Sequence, residues 1–211
     1  MKKLYVDENL LKEITKRVIE EINKKQKTDD VPSYFIESGI AYKGKNIKEV
    51  VIGIGPAFGK HIKKTINGLD HKDVIKEIIA GIEEEGMVPR IVRVLKTSDV
   101  AFIGKEAALL SGSGIGIGLQ SKGTTVIHQK DLYPLSNLEL FSQAPLLNLE
   151  LYREIGKNAA RYAKGMMVKP ILVQNDYMVR PKYQVKAAIM HIKETEKILK
   201  NAQSIELAVD F

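Results

Sequence analysis

The chain has 211 residues, 44% of them hydrophobic, no cysteine, and a formal net charge of +7. That length supports one sizeable core and a small appendage, while the missing cysteines exclude a disulfide framework and thiolate metal sites. No run of about 18 apolar residues is present to span a membrane, and 6% aromatics with no Trp argue against a base-stacking platform for nucleic acid.

Along the chain, Leu10, Leu11, Ile14, Val18, Ile19 and Ile22 fall at helical spacing between Lys and Glu, which predicts an amphipathic helix over 8–25. The polar stretch KKQKTDDVPS then reads as a linker. Such a helix either docks on its own domain or serves as a docking peptide for another surface. The opening segment lacks the apolar block of a secretory signal, so the cytoplasm is the simplest compartment. This places a boundary near residue 33, with 1–33 as helix and linker and 34–211 as the main domain.

From Glu49 the pattern changes. EVVIGIG is a β-branched run suited to a strand buried on both faces. PAFGKHIKKTI predicts a short helix, and KDVIKEIIAGIEEEG a longer one that stops at Gly86. VPRIVRVL is a second strand, followed by Ser98 as the N-cap of DVAFIGKEAALL, with Asp99 in its first turn. GIGIGLQ and TTVIHQ are further strands, KDLYPLSNLELFSQAPLLN is irregular, LELYREIGKNAARYAKG and RPKYQVKAAIMHIKETEKILK are helices, and SIELAVDF is a closing strand. Lysines alternate with glutamates in KEIIAGIEEEG and HIKETEKILK, as on solvated helix faces. Strands alternating with helices predict an α/β fold, Rossmann-like, with a mostly parallel sheet flanked by helices.

The chemistry is sparse. Ile117 stands where a dinucleotide fingerprint starting at Gly112 needs its third glycine, and Gly53, Gly55 and Gly59 are spaced one residue too widely. Gly59-Lys60 runs into His61 and Gly104-Lys105 into Glu106, so neither completes a phosphate loop. His61, His71, His128 and His191 make no H-x-x-H pair, and no G-x-S-x-G elbow exists. No catalytic residue and no metal ligand is assigned. Alternation instead places Gly114, Gly116 and Gly118 on one strand face and Ile115, Ile117 and Leu119 on the other. The bare face accepts either a helix or a broad flat ligand. Beyond it, Ser121-Lys122-Gly123-Thr124-Thr125 sits where open α/β sheets bind ligands, past the carboxyl ends of strands, and offers an anion or amide site. Arg180 and Lys182 with Tyr183 mark either a solvated basic turn or an anion site at a helix N-terminus. The segment from Pro134 to Leu147 is either a loop packed on its own core or a contact surface.

Taken together, GIGPAFG, IAGIEEEG, TSDVAF, LSGSGIGIGLQSKGTTVIHQ, PLSNLELF, QAPLL, IGKNAARYAKG, RPKYQ and HIKET resemble the medium (beta) subunits of adenosylcobalamin-dependent diol and glycerol dehydratases, in order from about Glu49 to Thr195. The resemblance implies a non-catalytic subunit of a lyase that converts a 1,2-diol (propanediol or glycerol) to an aldehyde. It implies a subunit that covers base-on adenosylcobalamin against a catalytic large subunit, in a dimer of heterotrimers with large and small chains and served by a reactivating factor. It also implies cofactor contacts at Asp99, Lys122, Thr124, Leu135, Asn137, Arg180 and Tyr183. The sequence departs at Ser142, where the family often has Pro, and at Ala187, where Ser is common. The amphipathic extension resembles those that serve encapsulation in bacterial microcompartments. Two other readings remain: the small subunit of the dehydratase reactivating factor, which resembles this fold, and an unrelated nucleotide-binding α/β protein.

Overall fold

The computed structural model describes residues 34–210; the helix expected over 8–25 and its linker lie outside them. The described chain builds one seven-stranded sheet in the order β1-β7-β3-β2-β4-β5-β6. Its elements are β1 (Phe35–Ile40), β2 (Glu49–Ile54), α1 (His71–Glu84), β3 (Val88–Arg93), α2 (Val100–Leu110), β4 (Ile115–Leu119), β5 (Thr125–Gln129), β6 (Glu139–Phe141), α3 (Leu149–Ala163), α4 (Val179–Thr195) and β7 (Ile205–Val209).

β2 sits at the centre and every residue of it is buried, as its unbroken β-branched run requires. Val50, Ile52 and Ile54 join Ile115, Ile117 and Leu119 of β4 in a core closed by Val74, Ile75 and Ile78 of α1 and by Tyr152 and Ile155 of α3. Val51 and Val92 face the other way, onto Ile103 and Ala107 of α2. Helices therefore cover both faces of the sheet, α1 and α3 on one and α2 on the other.

The glycine face of β4 meets a helix. A Cβ on Gly116 would strike the backbone of Ala107 and Ala108, and one on Gly118 the backbone of Gly104 and Val100. α2 thus lies against bare strand, closer than any side chain permits. On the other face, a Cβ on Gly81 would strike the Arg153 carbonyl and one on Gly156 the Ile78 carbonyl, so α1 and α3 also cross at backbone contact. Arg153 bridges this pair to Glu77 and Glu84, and Arg161 to Glu85, each at 2.8 Å.

Three expectations are corrected. The sheet is not mostly parallel: β2 runs parallel to β3 and β4, but β4–β5, β5–β6, β3–β7 and β1–β7 are antiparallel. The connection from Leu119 to Thr125 is a tight turn, and a parallel return needs a crossover of a dozen or more residues. PAFGKHIKKTI is not a helix but turns carrying the isolated bridges Phe58–Ile62 and Lys64–Asp70; Pro56 lacks an amide hydrogen, and Gly59 takes φ +69°. The N-cap of α2 is Asp99, whose carboxylate accepts from the amides of Ala101 (2.8 Å) and Phe102 (3.3 Å), not Ser98. β1 and the three-residue β6 were not expected at all.

Candidate functional site

The turn that joins β4 to β5 stands beyond the carboxyl ends of the parallel strands, and its backbone is bonded on all sides. Gln120 donates its amide to the Thr124 carbonyl (3.0 Å) and accepts from Gly123 (2.8 Å); Lys122 accepts from the Ile66 amide (3.0 Å). The Gly123 carbonyl accepts from the Tyr152 hydroxyl at 2.8 Å, and Gly123 itself takes φ +103°, with Tyr152 and Thr65 closing the space where a Cβ would stand. Ser121 accepts at its carbonyl from His71 (2.8 Å) and donates its amide and hydroxyl to Glu194 (3.1 and 2.7 Å). With the main chain held in this way, the turn presents the side chains of Lys122 and Thr124, while the buried Oε1 of Gln120 also has no partner among the described residues.

Lys122 and Thr124 look into a cleft of about 800 Å³ whose far wall is the first half of α4. Arg180, Tyr183 and Ala187 come from α4, and Ser142 from the segment after β6. Neither the Lys122 ammonium nor the Arg180 guanidinium has a hydrogen-bond or ion-pair partner among the described residues. The Thr124 hydroxyl is buried and unpartnered too. A buried hydroxyl without a partner is costly, and here it opens on a cleft with two cations, Arg180 standing at a helix start whose Val179 amide is bonded to Asp176 and whose Pro181 has no amide hydrogen. Such a set suits amides, phosphodiesters and other acceptor-rich groups.

Beneath the cleft lies a buried polar layer. His71 Nδ1 accepts from the Gly59 amide (3.0 Å), so Nε2 carries the proton and donates to Ser121. The ring stacks on Phe58 at 3.7 Å and 6°, and burial lowers its pKa to about 3, so it is neutral at physiological pH. Arg93 donates to the carbonyl of Phe58 (2.7 Å); burial lowers its pKa to about 10, which leaves it cationic. Its Nε has no hydrogen-bond partner and stands 4.0 Å from Glu37. The Glu194 carboxyl is raised above the ordinary carboxylate value by burial, against the pull of the Ser121 hydrogen bonds and of the nearby Lys122 and Arg93 charges.

The structure brings together four of the seven expected contacts, Lys122, Thr124, Arg180 and Tyr183, along with both departures, Ser142 and Ala187. Asp99, Leu135 and Asn137 do not line this cleft. Asp99 caps α2 with its carboxylate, and Leu135 and Asn137 lie in the connection from β5 to β6, with Leu135 at 76% exposure. Their neighbours Thr97, Phe102 and Pro134 line a second depression beside α2. Ser121 was read as part of the candidate turn and His71 only as one of four histidines that form no metal pair; Arg93 and Glu194 went unnoticed in the sequence. Glu194 sits in a stretch that reads as solvated helix, yet it is 2% exposed; the sole cue was the hydroxyl-rich turn that it caps.

A family model described as dehydratase medium subunit matches residues 55–169, over half of the chain. Among solved structures, the chain is similar to a glycerol dehydratase reactivase, with 21% identity and a TM-score of 0.47 over 56% of this chain and 94% of the other. It is also similar to a diol dehydratase-reactivating factor complexed with ADP and Mg2+, with 24% identity and a TM-score of 0.43 over 57% of this chain and 94% of the other.

Proposed function

Because the chain belongs to the dehydratase medium-subunit family, we propose that it is the cofactor-covering subunit of an adenosylcobalamin-dependent diol dehydratase, which turns 1,2-propanediol or glycerol into an aldehyde. The observation that carries this reading is the cleft itself. It combines two unpaired cations with an orphaned buried hydroxyl at the carboxyl ends of the parallel strands, and the corrinoid's amide side chains and nucleotide-loop phosphodiester are rich in the acceptors that such a set pairs with. Lys122 and Arg180 would hold the anionic and carbonyl groups, Thr124 would donate or accept at an amide, and Tyr183 would supply the apolar flank. Asp99, Leu135 and Asn137 would extend the contact across the α2 side. When bound, this cofactor supplies the radical that diol dehydration requires; the residues of this chain bind, orient and cover.

The substrate site belongs to a large subunit, with a small subunit completing a heterotrimer that pairs into a dimer and is served by a reactivating factor. The exposed Leu135, Val185 and Ile189 are apolar groups that such an assembly would cover. Residues 1–33 would serve encapsulation in a microcompartment, a proposal that rests on the sequence resemblance alone. The family match favours this subunit over the reactivating-factor small subunit.

An omission assay tests the reading. Large and small subunits, shown active with a known medium subunit, are mixed with adenosylcobalamin and 1,2-propanediol, with and without this chain. Aldehyde formed when the chain is added supports it. No aldehyde from competent partners overturns it and directs the next assay to rescue of inactivated enzyme.

A further inference from the structure

Helix α4 carries one wall of the cleft, yet it rests mainly on loops. Met190 is buried among Ala57, Ile62, Ile66 and Ala144. Lys186 donates to the Ile66 carbonyl at 2.6 Å, and the hydroxyls of Thr195 and Ser98 meet at 3.2 Å. Elsewhere the helix is open, with Val185 73%, Ile189 50% and Ile192 57% exposed. Its most deeply set polar attachment is Glu194, in the last turn. That carboxylate reaches the Ser121 hydroxyl at 2.7 Å and the Ser121 amide at 3.1 and 3.2 Å. It passes where a Cβ on Gly55 would stand, so the backbone has been left bare to admit it.

Retaining a buried carboxyl is expensive unless its bonds are needed. Ser121 directly precedes Lys122, in a turn where the carbonyls of Gln120, Lys122, Gly123 and Thr124 already accept hydrogen bonds. We propose that Glu194 is a positioning residue that latches the end of α4 to the Ser121 turn, and thereby sets how far Arg180 and Tyr183 stand from Lys122 and Thr124. The latch touches no ligand; it acts through the two walls. It rests on the reading that this cleft holds polar groups of the corrinoid, and it adds a residue that determines the width of the site.

The test uses the full chain assembled with large and small subunits and loaded with cyanocobalamin. Corrinoid retained through gel filtration is read by visible absorbance, and the thermal midpoint of the assembly is recorded beside it. Glu194→Ala is expected to lose the corrinoid about tenfold faster than wild type. In a Lys122→Ala background the same change adds less than about twofold, because the wall that it positions has lost its cation. Wild-type retention in E194A, or independent effects that multiply in the double variant, overturns the latch. Should E194A fail to assemble, Ser121→Ala takes its place: it removes the shortest bond, leaves the amide contact, and is expected to give about threefold faster loss with the same dependence on Lys122. A Lys122→Ala variant with undiminished retention overturns the cleft reading itself, whereas an effect of K122A beside a silent Glu194 overturns the latch alone.

Discussion

At Lys122 the main chain is tied down by Ile66 while the ammonium has no partner among the described residues, and at Thr124 a buried hydroxyl waits for one. The two side chains should therefore respond in different ways to removal. Lys122→Ala deletes a charge-assisted bond and is expected to weaken corrinoid retention by about 1.5–3 kcal/mol, roughly tenfold to a hundredfold, with the fold unchanged by circular dichroism. Thr124→Val keeps the shape and deletes the orphan; the free protein should gain about 1 kcal/mol in denaturant unfolding while the loaded complex loses corrinoid faster. A drop in both quantities would show that the hydroxyl has a partner within the fold. Lys122 and Thr124 were legible because a lysine and two hydroxyls after a strand are unusual company. Glu194 was not, since KETEK has the composition of a solvated face and only the tertiary neighbour Ser121 turns one glutamate inward.

Among the elements, β2 and β4 were legible because β-branched residues in a short run have few alternatives to a buried strand. β1 was hidden: FIESGI buries Phe35 alone, and a strand paired, among the described residues, only to β7 needs no alternation strong enough to read. The glycine face of β4 was legible as bare but not as to its occupant, since a helix and a flat ligand make the same demand on Cβ. The helix is what the fold supplies, and it leaves little slack. Gly118→Ala is expected to cost about 1–3 kcal/mol because the new methyl meets the backbone of Gly104 and Val100 rather than a movable side chain. Urea unfolding measures this, and a loss below about 0.5 kcal/mol would mean that α2 can slide outward at little expense.

For the whole molecule, the buried layer under the cleft makes stability depend on pH with opposing signs. His71 has its pKa depressed from 6.5 to about 3, so its contribution is complete above pH 6.5 and is lost as pH falls from there toward about 3. Glu194 has its pKa raised above 4.5, so its contribution is complete below 4.5 and is lost as pH rises through its folded value. On the acid side His71 contributes a slope of at most about 1.4 kcal/mol per pH unit for one proton, beside Glu84 and Glu85, whose carboxyls are held below the ordinary value by Arg153 and Lys164 respectively. His71→Asn is expected to be less stable than wild type at pH 7 and to lose less on going from pH 6.5 to pH 4; parallel thermal profiles for the two proteins would remove His71 from the acid limb. The antiparallel β4–β5 pairing was readable from the three residues between GIGIGLQ and TTVIHQ, too few for a parallel return; those of β1, β6 and β7 escaped detection because their partners are not set by a short connection to a neighbouring predicted strand.

The place of β7 has a temporal consequence. It lies between β1 and β3, so the strand at Phe35–Ile40 has no strand partner among the described residues until residues 205–209 have left the ribosome. At elongation rates of roughly 5–20 residues per second that interval is about ten to thirty seconds. Throughout it β2, β3 and β4 can already pair with one another while the outer edge of β3 stays open. Vectorial synthesis thus leaves a nascent sheet with an exposed flank, and β7, emerging after the rest of this sheet, both closes that flank and recruits β1.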